Sequence, residues 1–530
     1  MPAAELEEAA QRVRQLEAAA IAAHERAQAL NKEGRFQEAQ AAYAEMHALE
    51  DQASELAARV GCVACVLGDD DAAQDPAEAS LCNLDMDSLE PYSRLHPAAP
   101  WAQGPGGAAA AAAARAAAAV VGSAVADAAA MGVHWVYDLS QLEVLEAERR
   151  AEAAAASTSA PAHPSDFGLE FLDPPRSPFY SYASGRNSPY GEQTLALLRS
   201  LAEQGGLHAG AYADTFEAAF GPDSGFDGYR DVSTKGFLRN YARAMPPPLS
   251  GANDAQANAI ARLAPLVAAF GAAPAPTAAT AATATNSSTA TAADADAGAP
   301  SVSGSGSGEG AEEEEVSDLL ECVELATRVT QNTDAAVAWA CAGAAVLDSL
   351  LRGGTAAAAV EGAAAALESG AGPLAARCGP LAPELAAHLR SCLALAATPV
   401  PEAVAKLGRN CHMPNALQTP LQVVLYVEHH HAQAQAQARL PPAAYVEGVR
   451  LAIREGGCCA SRAAYVGACL GALCAPSHSE GEEGAQKEGE KEGVAGALVA
   501  LPQSWIARYG AAEQVTAWAG AILAARARAE

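Results

Sequence analysis

This sequence predicts an all-α protein, on three observations. Half of the residues are hydrophobic, but alanine dominates that half and aromatics reach only 5%. Alanine is the best helix former and a poor strand residue, so the composition favours closely packed helices. Apolar residues recur at helical spacing through most of the chain, and no segment alternates convincingly as a strand would. At 530 residues there is room for one large domain with an appendage, or for two to three domains.

Residues 3–60 read as two amphipathic helices. Leu16, Ala19, Ala20 and Ala23 keep helical spacing in the first, and Phe36, Tyr43, Met46, Leu49 and Leu56 mark the second. Asn31 to Arg35 turns between them, with Gly34 as the breaker. The stretch from Gly34 to Tyr43 resembles one tetratricopeptide unit, but an array needs about three. Residues 1–65 therefore read as a helical hairpin that packs on the main body, binds a protein partner or self-associates. Residues 66–107, punctuated by Asp, Pro and Gly, read as a linker.

The main body is expected over 108–528, interrupted by low-complexity inserts at 149–165, 271–316 and 476–494. None of these can bury enough apolar area to offset chain entropy, so they read as disordered surface loops. Helices are expected at 108–137, 191–204, 210–219, 233–244, 253–270, 317–330, 333–352, 355–370, 381–396, 418–433, 442–455, 459–474 and 510–528. Two are made almost entirely of small residues. One runs from Val121 to Gly132 with Asp127 as its single acid; the other carries Ala463, Gly467 and Gly471 four apart on one stripe. Small stripes let backbones approach, which places both helices inside a bundle. Asp127 then needs a partner there, as a structural acid or as part of a polar site.

The net charge of -30 argues against a nucleic-acid binder and against docking on an anionic membrane. Much of the acid sits in runs near Glu312–Glu315 and Glu480–Glu492, as solvated loops would carry it. The apolar stretch Ala108 to Val136 is mostly alanine and is interrupted by Arg115 and Asp127, so it does not read as a membrane span. The acidic N-terminus lacks the features of a signal or transit peptide. Cys62 and Cys65 form one CxxC without a second pair, and the 12 scattered cysteines read as reduced thiols of a cytoplasmic protein.

Six short segments carry candidate chemistry. They are Val125 to Asp138, containing His134-Trp135-Val136-Tyr137-Asp138; Tyr190-Gly191-Glu192-Gln193-Thr194 at a helix start; Asn253-Asp254 leading to Arg262; Cys411 to Gln418; Gly456-Gly457-Cys458-Cys459-Ala460-Ser461-Arg462; and Leu501-Pro502-Gln503-Ser504-Trp505. Each alone is a weak signal. Glu192 suits a helix N-terminus with no function at all. His134 and Trp135 also suit a core. Cys411 and His412 suggest a nucleophile pair, but adjacent side chains point apart. Cys458-Cys459 at a helix N-terminus would make a reactive thiol. The run His429-His430-His431 binds metal only incidentally.

Taken in order, the six segments resemble the ADP-ribosylglycohydrolase superfamily, in the branch that includes the J-crystallins and selenoprotein J. The resemblance covers about 110–510 without the inserts. It implies a compact, orthogonal all-α fold with a cleft holding two Mg²⁺ ions, which position an ADP-ribosyl group while water cleaves its N- or O-glycosidic bond. Mg²⁺ requires hard oxygen ligands in near-octahedral order. The family takes them from an Asp-Asp-Thr motif and from a late Gly-Gly-Asp-x-Asp-Thr/Ser motif. Here Glu192 and Gln193 stand for the two aspartates and Thr194 matches. Gly456 and Gly457 match the late motif, Cys458 and Ala460 replace its aspartates, and Ser461 stands for the Thr.

One carboxylate in four survives, and the loss of three charges weakens any site for two divalent cations. The resemblance thus implies a hydrolase-like protein with a degenerate magnesium centre. Glu192 and Asp127 are its candidate catalytic residues. Glu192, Thr194 and Ser461 would be the remaining metal ligands, and His134, Asn253, Asp254 and Arg462 the substrate contacts. ADP-ribose or an ADP-ribosylated substrate is the implied ligand. The alternatives are a pseudoenzyme that binds ADP-ribose or a nucleotide, a crystallin-like structural protein, and an adaptor acting through the N-terminal hairpin.

Overall fold

Alanine and glycine determine how the centre of this molecule is built. The computed structural model describes residues 89–100, 108–156, 168–271, 309–434, 439–476 and 496–528, with isolated positions between 12 and 52. Among them, the helices of eight or more residues are α1 (Ala108–Ala130), α2 (Leu139–Ala156), α3 (Pro189–Gln204), α4 (Ala209–Phe220), α5 (Val232–Ala242), α6 (Leu263–Phe270), α7 (Glu309–Thr330), α8 (Asp334–Leu351), α9 (Ala356–Ser369), α10 (Ala382–Ala394), α11 (Val400–Leu407), α12 (Asn415–Ala434), α13 (Pro442–Arg454), α14 (Cys459–Cys474) and α15 (Ala512–Arg528).

The two small-residue helices are neighbours at the core. Every residue of α1 from Ala116 to Ala130 is buried, as is every residue of α14 except Leu473. They run antiparallel with almost no gap. A Cβ on Gly467 would lie 2.5 Å from the Gly122 carbonyl oxygen and from Ala126 Cβ, and one on Gly471 would lie 2.4 Å from the Ala118 oxygen. Only glycine permits that spacing. A helix buried on all sides must be apolar on all sides, so its composition alone does not mark a membrane span. Ala108–Val133 and Asp334–Leu351 are each long and apolar enough to cross a membrane, yet 100% and 78% of their most apolar windows are buried inside the protein.

The other helices pack around this pair. Tyr445 of α13 donates its hydroxyl to the Gly122 oxygen at 2.6 Å, and Tyr465 of α14 donates to Gly343 of α8 at 2.8 Å. Arg526 of α15 is fully buried and donates to the carbonyls of Ala99, Ala268 and Gly271. Ala268 and Gly271 lie at the C-terminal end of α6, where carbonyls lack intrahelical donors, and Ala99 lies outside any helix beside them.

Several features differ from the sequence reading: α2 and α11 are helices where none was expected, and the helix expected over 108–137 ends at Ala130. A two-stranded antiparallel sheet pairs β1 (Leu95–Pro97) with β2 (Gly206–His208), each too short for alternation to register. It brings residues of the 66–107 stretch onto the main body. Helix α2 continues to Ala156, inside the 149–165 insert, and α7 begins at Glu309, inside 271–316. Alanine and glutamate are good helix formers, and acids suit a helix N-terminus, so these ends extend the helices. The helix expected over 253–270 is split into Asn258–Ala261 and α6. Pro265 has no N–H to donate to the Ala261 carbonyl, and the Thr194 hydroxyl donates to it instead at 3.3 Å.

Most of the N-terminal hairpin, the Cys62–Cys65 pair and most of the three inserts lie outside the described residues. At the positions described, Ala23 and Ala42 are buried together, with Leu30, Leu49 and Phe179 of the main body packed on them. Arg26 pairs with Glu45.

Candidate functional site

The first and fifth sequence segments meet through the backbone. The Trp135 amide donates to the Gly457 oxygen and the Gly457 amide to the Val136 oxygen, both at 2.7 Å. Gly456 and Gly457 hold φ of 61° and 59°, a turn that other residues enter with strain. Arg462 clamps it, donating to Gly456 at 3.0 Å, Ala452 at 2.9 Å and Arg409 at 3.1 Å. Expected as a substrate contact, Arg462 is 3% exposed and committed to these carbonyls.

Asp127 joins the first segment to the start of α3. It is buried and accepts from Asn187 Nδ2 at 2.8 Å, the Ser188 amide at 2.7 Å and the Ser188 hydroxyl at 2.6 Å. Ser188 also caps α3 by accepting from the Gly191 amide. A Cβ on Gly191 would lie 2.1 Å from Asp127 Oδ1, so this glycine lets the acid approach the helix end. Burial raises the Asp127 carboxyl, against the lowering effect of its Ser188 and Asn187 donors.

The Glu192-Gln193-Thr194 motif opens α3 with each side chain already engaged. Arg186 donates Nε to Glu192 at 2.7 Å and its NH1 to Asp227 at 3.1 Å. Burial raises the Glu192 carboxyl and the Arg186 guanidinium counters it. Gln193 donates Nε2 to Asp231 at 2.7 Å and to the Thr234 hydroxyl at 3.1 Å, and accepts from Asn258 at 2.9 Å. The Thr194 hydroxyl donates to the Tyr190 and Ala261 carbonyls.

Asp231 escaped the sequence reading although it stands at the hub of this network. Its Oδ1 caps α5 by accepting from the Thr234 amide, and its Oδ2 accepts from Gln193 and Asn258. The only available signal was an N-cap pattern, Asp231 three residues before Thr234. Asp254 is buried, while its expected companion Asn253 is exposed. Asp254 accepts from Gln331 Nε2 at 2.9 Å, and Gln331 Oε1 accepts from Arg262 at 2.8 Å. Burial, with Asp231 nearby, lifts the Asp254 carboxyl to about 6.

A thiol-imidazole cluster occupies the late motif. Cys458 Sγ lies 3.6 Å from His134 Nε2 and 2.9 Å from the Ser461 hydroxyl, and the other ring nitrogen of His134 is 2.8 Å from the Tyr180 hydroxyl. Cys411 touches Cys458 through its thiol. Burial pushes the Cys458 thiol up, but Cys411, His134 and Ser461 outweigh it and hold Cys458 well below the usual thiol range. The same contact and burial push Cys411 up. The cysteine–histidine pair suggested at 411–412 is thus assembled from Cys458 and His134, far apart in sequence.

Aromatic rings close the space between these groups. Trp135, at φ 64°, stacks on His134 with centroids 4.1 Å apart and meets Phe179, Tyr180, Tyr190 and Tyr229 edge-on at 5.1–6.0 Å. Tyr190 faces Cys411, Cys458 and Asp231, which places it between the thiol cluster and the Gln193–Asp231 network. The structure therefore gathers Asp127, His134, Glu192, Thr194, Asp254, Ser461 and Arg462 around one interior region and leaves Asn253 on the surface. Among the described residues no three His, Cys, Asp or Glu side chains are arranged to hold a metal ion.

Residues 108–305 match the family model described as ADP-ribosylglycohydrolase. Crystallin J1A of Tripedalia cystophora is 34% identical over 160 residues, covering 28% of this chain and 44% of that protein. Crystallin J1B of the same animal is 33% identical over 160 residues, with the same two shares. The chain thus spans less than half the length of these curated relatives. A solved structure titled ADP-ribosylglycohydrolase-related protein complex aligns with a TM-score of 0.43 at 17% identity, covering 78% of this chain and 99% of that one.

Proposed function

We propose that this chain is a member of the ADP-ribosylglycohydrolase superfamily that retains the fold without efficient two-magnesium hydrolysis of ADP-ribosyl conjugates, in a structural, crystallin-like role. One observation carries the reading: at both motifs that would supply metal ligands, the polar side chains are engaged within the chain. Glu192 is held by Arg186, Gln193 by Asp231 and Asn258, Thr194 by two carbonyls and Ser461 by Cys458.

The donor set does not fit Mg²⁺. A thiol and an alanine stand at two acid positions, and sulfur is a poor partner for a hard cation. Gln193 turns its N–H groups towards Asp231, and a donor facing a carboxylate excludes a cation from the same spot. The relatives named crystallins agree with a role other than turnover.

A second reading, ADP-ribose or nucleotide binding, is favoured by Trp135. A bulky residue at positive φ is a costly conformation that clusters at functional sites, and the rings around it could stack on a base. Calorimetry with Mg²⁺ and with ADP-ribose, beside release of ADP-ribose from modified protein, separates the readings. The expected result is no magnesium-dependent release. Turnover that needs magnesium and disappears in Glu192→Ala would overturn the proposal. Tight ADP-ribose binding without release would favour the binder.

A further inference from the structure

Nine free cysteines lie among the described residues, and two of the environments among them contrast. Cys341, Cys378, Cys392, Cys459 and Cys474 each donate a thiol to a backbone carbonyl, as inert core cysteines do. Cys458 instead has an imidazole nitrogen, a hydroxyl and a second thiol around its sulfur.

We propose that Cys458 and Cys411 are an oxidation site, a dithiol that small hydroperoxides convert to a disulfide. The geometry supplies each requirement. The Cys458 amide donates to the Arg409 oxygen at 2.9 Å, the Ala257 amide donates to the Cys411 oxygen at 2.8 Å, and Arg462 also holds Arg409. Backbone bonds therefore fasten both segments side by side, and the two thiols are hydrogen-bonded to each other. His134 is aimed at Cys458 because Tyr180 engages its other nitrogen. Access comes from the Cys411 side, where residues 407–415 are half-buried, and a hydroperoxide can be little larger than water. The Tyr190 hydroxyl is buried beside both thiols, against Cys411.

The steps balance. The Cys458 sulfur, its proton passed to His134, attacks one peroxide oxygen and breaks the O–O bond. Cys458 becomes a sulfenic acid, and the departing alkoxide takes the proton from His134 to leave as an alcohol, or as water from hydrogen peroxide. The Cys411 thiol then attacks the sulfenic sulfur, forms the S–S bond and releases water. The two thiols lose two electrons and two protons, and the peroxide gains both.

Treating the full chain with substoichiometric hydrogen peroxide tests this, by thiol titration and non-reducing peptide mapping. The expected result is loss of two thiols per chain, restored by dithiothreitol, with one cross-linked pair of peptides containing Cys411 and Cys458. Cys411→Ser should leave a sulfenic acid on Cys458 that dimedone traps, and Cys458→Ser should leave Cys411 reduced. His134→Gln should slow closure about tenfold, with circular dichroism showing the variant folded. Cys411 and Cys458 remaining reduced while other thiols oxidise, or a cross-link joining other cysteines, would overturn the proposal without reliance on any variant. An unchanged rate in folded His134→Gln would remove His134 from it.

Discussion

Burial lifts the Asp254 carboxyl from 3.8 to about 6, with Asp231 adding to the effect. An acid whose pKa is higher in the folded state binds its proton better there. Its stabilising contribution is therefore complete below about pH 4 and is lost as pH rises through 6. A shift of this size corresponds to about 3 kcal/mol. Asp254→Asn should flatten the stability curve between these pH values and raise stability at neutral pH by about 1–3 kcal/mol, as read by urea unfolding across pH. Gln193 gives the complementary case. Its amide donates to Asp231 at 2.7 Å, so Gln193→Glu sets two buried carboxylates against each other. The expected cost is about 2–5 kcal/mol at pH 7, shrinking on acidification as one of them takes a proton. A Gln193→Glu protein as stable as wild type at pH 7 would contradict the network.

Among elements, the α1–α14 contact is the most exacting. Gly122, Gly467 and Gly471 bring the two helix backbones together, and helix starts elsewhere are set by short polar side chains: Ser188 for α3, Asp231 for α5, Thr333 for α8 and Thr355 for α9. Gly467→Val would drive methyl groups into Ala126 and the Gly122 carbonyl. Overpacking of this kind costs about 3 kcal/mol or more, visible as a lower thermal midpoint. Gly362 is a control: a Cβ there meets nothing within 4 Å, so Gly362→Ala should hold or raise the midpoint by its helix propensity.

At the scale of the molecule, the layers around α1 and α14 predict an order of opening. Hydrogen exchange should find the amides of α1 from Ala116 to Ala130 and those of α14 among the last to exchange, and α2, with its mostly exposed face, well before them. Early exchange along α1 would mean that this helix is not the interior of the fold. The net charge of -30 acts at the same scale: mutual repulsion destabilises the folded chain, and added salt screens it.

What the sequence determined by itself was the class of structure, most helix positions and the interior placement of two small-residue helices. These follow from local periodicity and from the small-residue stripe Ala463, Gly467 and Gly471, signals carried within about one helix length. The motif order also placed Asp127, His134, Glu192 and the 456–462 turn in one region. Only the tertiary structure decided what those residues do there. It gave Glu192 to Arg186, Gln193 to Asp231, Arg462 to three carbonyls, and Cys458 to a histidine 324 positions away. Such partners depend on how whole helices pack, because a side chain's hydrogen bond is chosen by distances of a few tenths of an ångström between segments remote in sequence. No local pattern encodes that choice.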